Sequence, residues 1–174
     1  NTFRGEQVST CAGPKKHIYL VDIFKEIVAK NPKARLVCCG AGPLMPSVTE
    51  RAKGLGILDN ILFAGVVKNC NEYMMAMDVF IFPSIFEGFP ISILEAQATG
   101  LPLVMSDVIT KEVDLTQLVN RLSTKEDPKI WADIILSLKP SDRRLYNETI
   151  VQTKYNMSET VKWFETLFTD LAYS

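Results

Sequence analysis

Residues 79–100, VFIFPSIFEGFPISILEAQATG, constrain the fold more than any other stretch of this chain. Val79-Phe80-Ile81-Phe82 is a short, unbroken apolar run, the pattern of a strand buried on both faces. A polar, turn-prone connection follows from Pro83 to Phe89. Pro90 then stands where a helix would begin, since its ring presets the first helical φ and its missing N–H is not needed there. Ile91, Ile93, Leu94 and Ala98 supply an apolar face, and Gly100 with Pro102 ends the helix. The stretch predicts a strand, a glycine-containing loop and a helix.

Two carboxylates bracket that unit: Glu87 in the loop and Glu95 on the helix's second turn. The loop and helix start aim backbone N–H groups, at the positive end of the helix dipole, past the strand's carboxyl end. Such a place favours a phosphate. A carboxylate one turn further in is better suited to accepting hydrogen bonds from sugar hydroxyls. The combination suggests a nucleotide-sugar site. Spacing alone leaves open the plainer reading, that both are exposed surface acids.

The rest of the chain repeats the strand–helix alternation. A short strand is expected around Glu6–Thr10, a helix over Lys16–Lys30, and a strand over Ala34–Cys39 closed by Gly40-Ala41-Gly42-Pro43. A helix from Leu44 to about Lys53, a strand Ile61–Ala64 and a helix Asn69–Met77 with Tyr73, Met74 and Met77 inward come next. Leu103–Ser106 is a further strand and Leu118–Ser123 another candidate. Beyond them only helices are expected. One spans Pro128–Leu138, with Ile130, Trp131, Ile134, Ile135 and Leu138 inward. Two more follow, N-capped by Ser141 and Ser158, the last with an apolar stripe over Val161–Leu171. About five alternations predict an α/β fold, a Rossmann-like, doubly wound parallel sheet with extra C-terminal helices, binding its ligand at the strands' carboxyl ends.

Composition removes several classes. The 174 residues, 47% hydrophobic and 22% charged, suit one soluble domain or half of a larger enzyme. A net charge of −1, with no basic run beyond Lys15-Lys16, argues against a nucleic-acid partner. No apolar run reaches the roughly 18–20 residues needed to cross a bilayer, and no leader-like stretch opens the chain, so a cytoplasmic location is expected. Cys11, Cys38, Cys39 and Cys70 form no C-x-x-C pair and read as free thiols. The adjacent Cys38 and Cys39 should point to opposite faces of their strand. With a single histidine, His17, no metal site is expected.

Other motifs fail on particular residues. Gly40-Ala41-Gly42 opens a dinucleotide fingerprint, but position 45, where its third glycine belongs, is Met45. No nucleophile elbow and no P-loop are present. Lys15 and Lys16 stand at a helix start, where a cation costs about 0.3–1 kcal/mol against the dipole. A nearby phosphate would remove that cost.

The phrase FPSIFEGFPISILEAQATGLPLVMSD, with Glu87 and Glu95 eight positions apart, resembles the E-x7-E stretch of retaining glycosyltransferases of the GT-B fold, family 4. The resemblance covers about residues 14–172 and identifies the chain with the C-terminal, donor-binding domain of such an enzyme. It implies a domain from 15 to 174 behind an uncertain segment 1–14, and a missing N-terminal domain that carries most acceptor contacts. It further implies retaining transfer of a hexose from a UDP- or GDP-linked sugar to a glycan or lipid-linked acceptor, in cell-surface polysaccharide synthesis. The chain alone is then expected to be inactive, and the full enzyme could associate peripherally with the inner face of the membrane. Glu87 would contact the donor sugar, Glu95 the ribose hydroxyls, and Lys15 the diphosphate. The backbone around Gly88, Phe89, Pro90 and Ile91 would hold sugar hydroxyls and phosphate, with no N–H from Pro90 itself. The nucleobase would lie between the Gly40–Gly42 turn and Val66-Val67. Neither metal nor cofactor is implied. One departure matters: the family's Gly-Arg pair would fall near Ser9-Thr10, and Arg4 is out of register. That departure keeps a non-catalytic nucleotide-sugar-binding module as the alternative. A GT-B epimerase is disfavoured by the E-x7-E spacing.

Overall fold

A computed structural model describes residues 17–146 and the backbone of 4–8. The expectations for Cys11, Lys15, Ser158 and the stripe over 161–171 lie outside the described residues. Six strands, β1 (Arg4–Val8), β2 (Arg35–Cys39), β3 (Ile61–Gly65), β4 (Val79–Phe82), β5 (Leu103–Ser106) and β6 (Val119–Leu122), form one sheet. Its order is β3-β2-β1-β4-β5-β6, and every pairing is parallel. Among the described residues the strands are accompanied by five α-helices: α1 (His17–Lys30), α2 (Met45–Gly54), α3 (Cys70–Ala76), α4 (Ile91–Ala98) and α5 (Pro128–Ser137). The fold is the doubly wound, Rossmann-like α/β sheet that the alternation predicts.

The strands' two-residue period divides the core in two. Leu36, Cys38, Val79, Ile81 and Val104 face α1, α2 and α5, packing with Phe24, Ile27, Ala52 and Trp131. Val37, Cys39, Phe80, Phe82, Leu103 and Met105 face α3 and α4, with Met74, Ile93 and Ala96. Cys38 and Cys39 thus point to opposite faces, as successive strand residues must, and both are buried free thiols. Each central strand is covered on both sides, which is why Val79–Phe82 and Leu103–Met105 are uniformly apolar and Ser106 too is buried.

Several local expectations are corrected. β1 lies at Arg4–Val8, two residues before the expected strand, in register with Arg35–Cys39. Pro90 is the N-cap of α4, not its first helical residue; its ψ of 90° is extended, and Ile91 begins the helix. Ile91 is 64% exposed, so the inward face is Ile93, Leu94, Ala96 and Gln97. On α5, Ile130 faces outward and Ala132 packs inward instead. The chain turns helical at Arg144, but Ser141 is not the cap: its hydroxyl donates to the Gly100 carbonyl, and the Asp142 carboxylate accepts the Arg144 N–H at 3.3 Å. Arg143 then donates to the carbonyls of Met74, Met75 and Met77, supplying a cation where the α3 dipole is negative. These bonds carry the chain from α5, on one side of the sheet, to α3 and α4 on the other.

Candidate functional site

The strand order reverses direction between β1 and β4, leaving a crevice at their carboxyl ends where such sheets bind ligands. The loop 83–90 leaves β4 on that side. Pro83 and Ser84 are buried, then Ile85 and Phe86 turn out to solvent, Phe86 to 70% exposure. Glu87 is half-buried, and its Oε1 lies 2.8 Å from the buried hydroxyl of Ser84. The same hydroxyl is 3.1 Å from the Phe86 carbonyl. Gly88 is exposed, and a side chain there would meet nothing within 4 Å. Phe89 remains 41% exposed, and Pro90 turns the chain into α4, its carbonyl accepting the Ile93 N–H at 3.0 Å. The first-turn N–H groups of α4 therefore face the same crevice as Glu87.

Glu95 is exposed at the start of the second turn of α4. Its carboxylate acts on the Cys70 thiol at the start of α3: burial first, and then the Glu95 charge, push that thiol above its ordinary value. The Cys70 Sγ lies 3.9 Å from the Val67 carbonyl, and Val67 packs against the cluster beneath α4. Beside them the Gly40 N–H donates to the Gly65 carbonyl at 2.6 Å, tying together the loops after β2 and β3. Val66, next in line, is 81% exposed. Gly42 starts α2 through its carbonyl, which accepts the Met45 N–H at 3.1 Å.

Gly40, Gly42, Val66, Val67, Glu87, Gly88, Phe89, Pro90, Ile91 and Glu95 thus all lie along the carboxyl edge of the sheet. Lys15 lies outside the described residues. Three neighbours escaped the sequence reading. Ser84 is a small polar residue three positions before Glu87, a spacing at which a turn returns a side chain to its successor. Cys70 feels the Glu95 charge from 25 residues away in sequence, and no local pattern signals it. Gln97 reads as an ordinary helix polar residue, yet it is fully buried. A groove of about 780 Å³ between α1 and α2 is lined by Ile18, Pro46, Ser47, Glu50, Arg51 and Gly54 and includes neither glutamate. Among the described residues no group of three or more His, Cys, Asp or Glu could hold a metal ion. No helix among them is long and apolar enough to cross a membrane.

The model of the glycosyl transferases group 1 family matches residues 8–139. EpsF of Bacillus subtilis (strain 168), provisionally named a glycosyltransferase, is 35% identical over 151 residues, covering 84% of this chain and 39% of that protein. The UDP-Gal:alpha-D-GlcNAc-diphosphoundecaprenol alpha-1,3-galactosyltransferase of Escherichia coli is 32% identical over 111 residues, 62% of this chain and 29% of its own length. The chain therefore spans well under half the length of the curated relatives it matches. Among solved structures, the pneumococcal O-GlcNAc transferase GtfA in complex with UDP and GlcNAc superposes with a TM-score of 0.81 at 21% identity, covering 97% of this chain and 36% of that one. Anabaena HepE in complex with UDP and glucose gives 0.77 at 18%, covering 96% and 48%.

Proposed function

The chain belongs to the glycosyl transferases group 1 family, and from that premise we propose that it is the donor-binding half of a retaining GT-B glycosyltransferase. The carrying observation is the placement of Glu87 and Glu95, in the loop after β4 and on α4, at the point where the strand order reverses. The reaction moves a hexose from a UDP- or GDP-linked donor to a glycan or lipid-linked acceptor in cell-surface polysaccharide synthesis. The bond between the anomeric carbon and the diphosphate breaks, the diphosphate leaves with the electron pair, and the acceptor oxygen takes its place on the same face. Glu95 accepts hydrogen bonds from the ribose hydroxyls. Glu87 contacts the donor sugar, and the amides of Phe89 and Ile91 hold sugar hydroxyls and phosphate. The nucleobase sits between Gly40–Gly42 and Val66-Val67. An N-terminal domain outside this chain faces the crevice and brings the acceptor, so the chain alone binds donor without turning it over.

Calorimetric titration with UDP, GDP and ADP tests this reading, with UDP the first choice because GtfA and HepE are seen with it. One nucleotide should bind saturably, and Glu95→Ala should weaken it about tenfold, or about 1.4 kcal/mol. Binding that ignores this substitution would remove the ribose role from Glu95.

Helix-start amides, together with the Lys15 that the family resemblance assigns to the diphosphate, would neutralise it without a metal. The same titration in EDTA should give the same Kd as in Mg²⁺. A Kd that collapses in chelator and returns with Mg²⁺ would overturn metal-independent binding.

A second reading, a nucleotide-sugar-binding module without transferase activity, is favoured by Ser9-Thr10 standing where the family carries Gly-Arg. Loss of that guanidinium removes a bidentate diphosphate partner. Turnover by the whole protein with its acceptor separates the two readings.

A further inference from the structure

We propose that Ser84 is a positioning residue of the donor site, its buried hydroxyl holding the Glu87 carboxylate in the orientation that meets the donor sugar. The proposal rests on the reading of Glu87 as the carboxylate that contacts that sugar. Ser84 follows Pro83 at the end of β4 and is 1% exposed. A hydroxyl in so enclosed a place costs free energy unless it is hydrogen-bonded, and an apolar side chain would pack there without that cost. Its partners lie within the site loop: Glu87 Oε1 at 2.8 Å and the Phe86 carbonyl at 3.1 Å.

The hydroxyl has one proton and two acceptors. A carboxylate is the stronger acceptor, so the proton points to Glu87 in the resting site. A carboxylate offers about four lone-pair sites, so a sugar hydroxyl can bond it while Oε1 stays on Ser84. Glu95, by contrast, is held on α4, which Ser84 does not touch through any of these bonds. The effect should therefore fall on the sugar and spare the nucleotide.

The test compares two Kd values on the whole chain: UDP and UDP-glucose, or GDP and GDP-mannose where GDP is the nucleotide that binds. In Ser84→Ala the ratio of sugar-nucleotide Kd to nucleotide Kd should rise about tenfold over wild type, the scale of one hydrogen bond to a charged group. In a Glu87→Gln background the same substitution should change that ratio by less than about twofold, because the group Ser84 orients has lost its charge. Ser84→Cys, which nearly keeps the volume but is a weak donor, should reproduce the effect if the alanine variant folds poorly. Equal losses for both ligands, or a full effect that persists beside Glu87→Gln, would overturn the assignment and leave the donor-site reading intact. A wild-type chain that binds none of these ligands would overturn both.

Discussion

Replacing Gln97 with leucine should cost about 1–3 kcal/mol of folding stability, one of the largest single-residue effects expected in this domain. Gln97 is fully buried, and its amide is used at both ends. Nε2 donates to the Val113 carbonyl at 2.7 Å and to the Ile93 carbonyl at 3.2 Å. Oε1 accepts the Leu115 N–H, the Thr116 N–H and the Thr116 hydroxyl, each at 3.0 Å. Leucine fills similar space but answers none of these groups. The Ile93 carbonyl keeps its helical partner, and the Val113 carbonyl keeps the Leu115 N–H at 3.0 Å, whereas the Thr116 N–H and hydroxyl lose the acceptor they share, at about 1–3 kcal/mol for each group that stays dry. Leu115 and Thr116 are only half-buried, so water recovers part of that cost and the total stays below the arithmetic maximum. Urea unfolding should show a lower midpoint with an unchanged slope. Hydrogen exchange should accelerate first at Thr116. A loss under about 1 kcal/mol would mean that the loop repacks around the leucine.

The same residue shows where sequence reading stops. Strands were legible wherever the chain is buried on both faces, because such positions admit little but apolar side chains; Val79–Phe82 and Leu103–Ser106 match to the residue. β1 was placed two residues late because Arg4-Gly5-Glu6-Gln7-Val8 carries no apolar run, and its position is set by pairing with β2 and β4 on either side. In α4 a count of apolar residues selects Ile91 and passes over Gln97, yet the helix turns Ile91 toward the crevice and Gln97 into the core. The buried amide is explained only by groups at positions 113–116. Glu87 and Glu95 were legible because their spacing is local, a loop and one helix beyond a strand. Ser84 and Cys70 were not, since a turn's closure and a charge acting across 25 residues leave no periodicity behind.

Gly100→Ala should cost about 2 kcal/mol more than Gly56→Ala, although both glycines end a helix in the same way. After α4 the Gly100 N–H donates to the Gln97 carbonyl at 2.9 Å and the Leu101 N–H to Ala96 at 3.0 Å. After α2 the Gly56 N–H donates to Lys53 at 3.0 Å and the Ile57 N–H to Ala52 at 3.1 Å. Each is a Schellman stop with a left-handed glycine, φ +66° at Gly100 and +69° at Gly56. An alanine pays about 1–2 kcal/mol for that conformation at either place. The surroundings then differ. A Cβ at Gly56 meets nothing within 4 Å, whereas at Gly100 it would stand 2.6 Å from Arg143 Cα and 3.1 Å from the Arg143 carbonyl. Backbone cannot swing aside as a flexible side chain can. Either α4 strains or the segment around Arg143 lifts, and lifting it breaks the Ser141 bond to Gly100 and the three Arg143 bonds at the end of α3. Both routes loosen α4, the helix that carries Glu95, so Gly100→Ala should also weaken nucleotide binding while Gly56→Ala leaves it alone. Parallel denaturant titrations of the two variants decide the matter. Equal losses would show that the conformation alone demands glycine at position 100, and that the chain crossing at Arg143 has room to move.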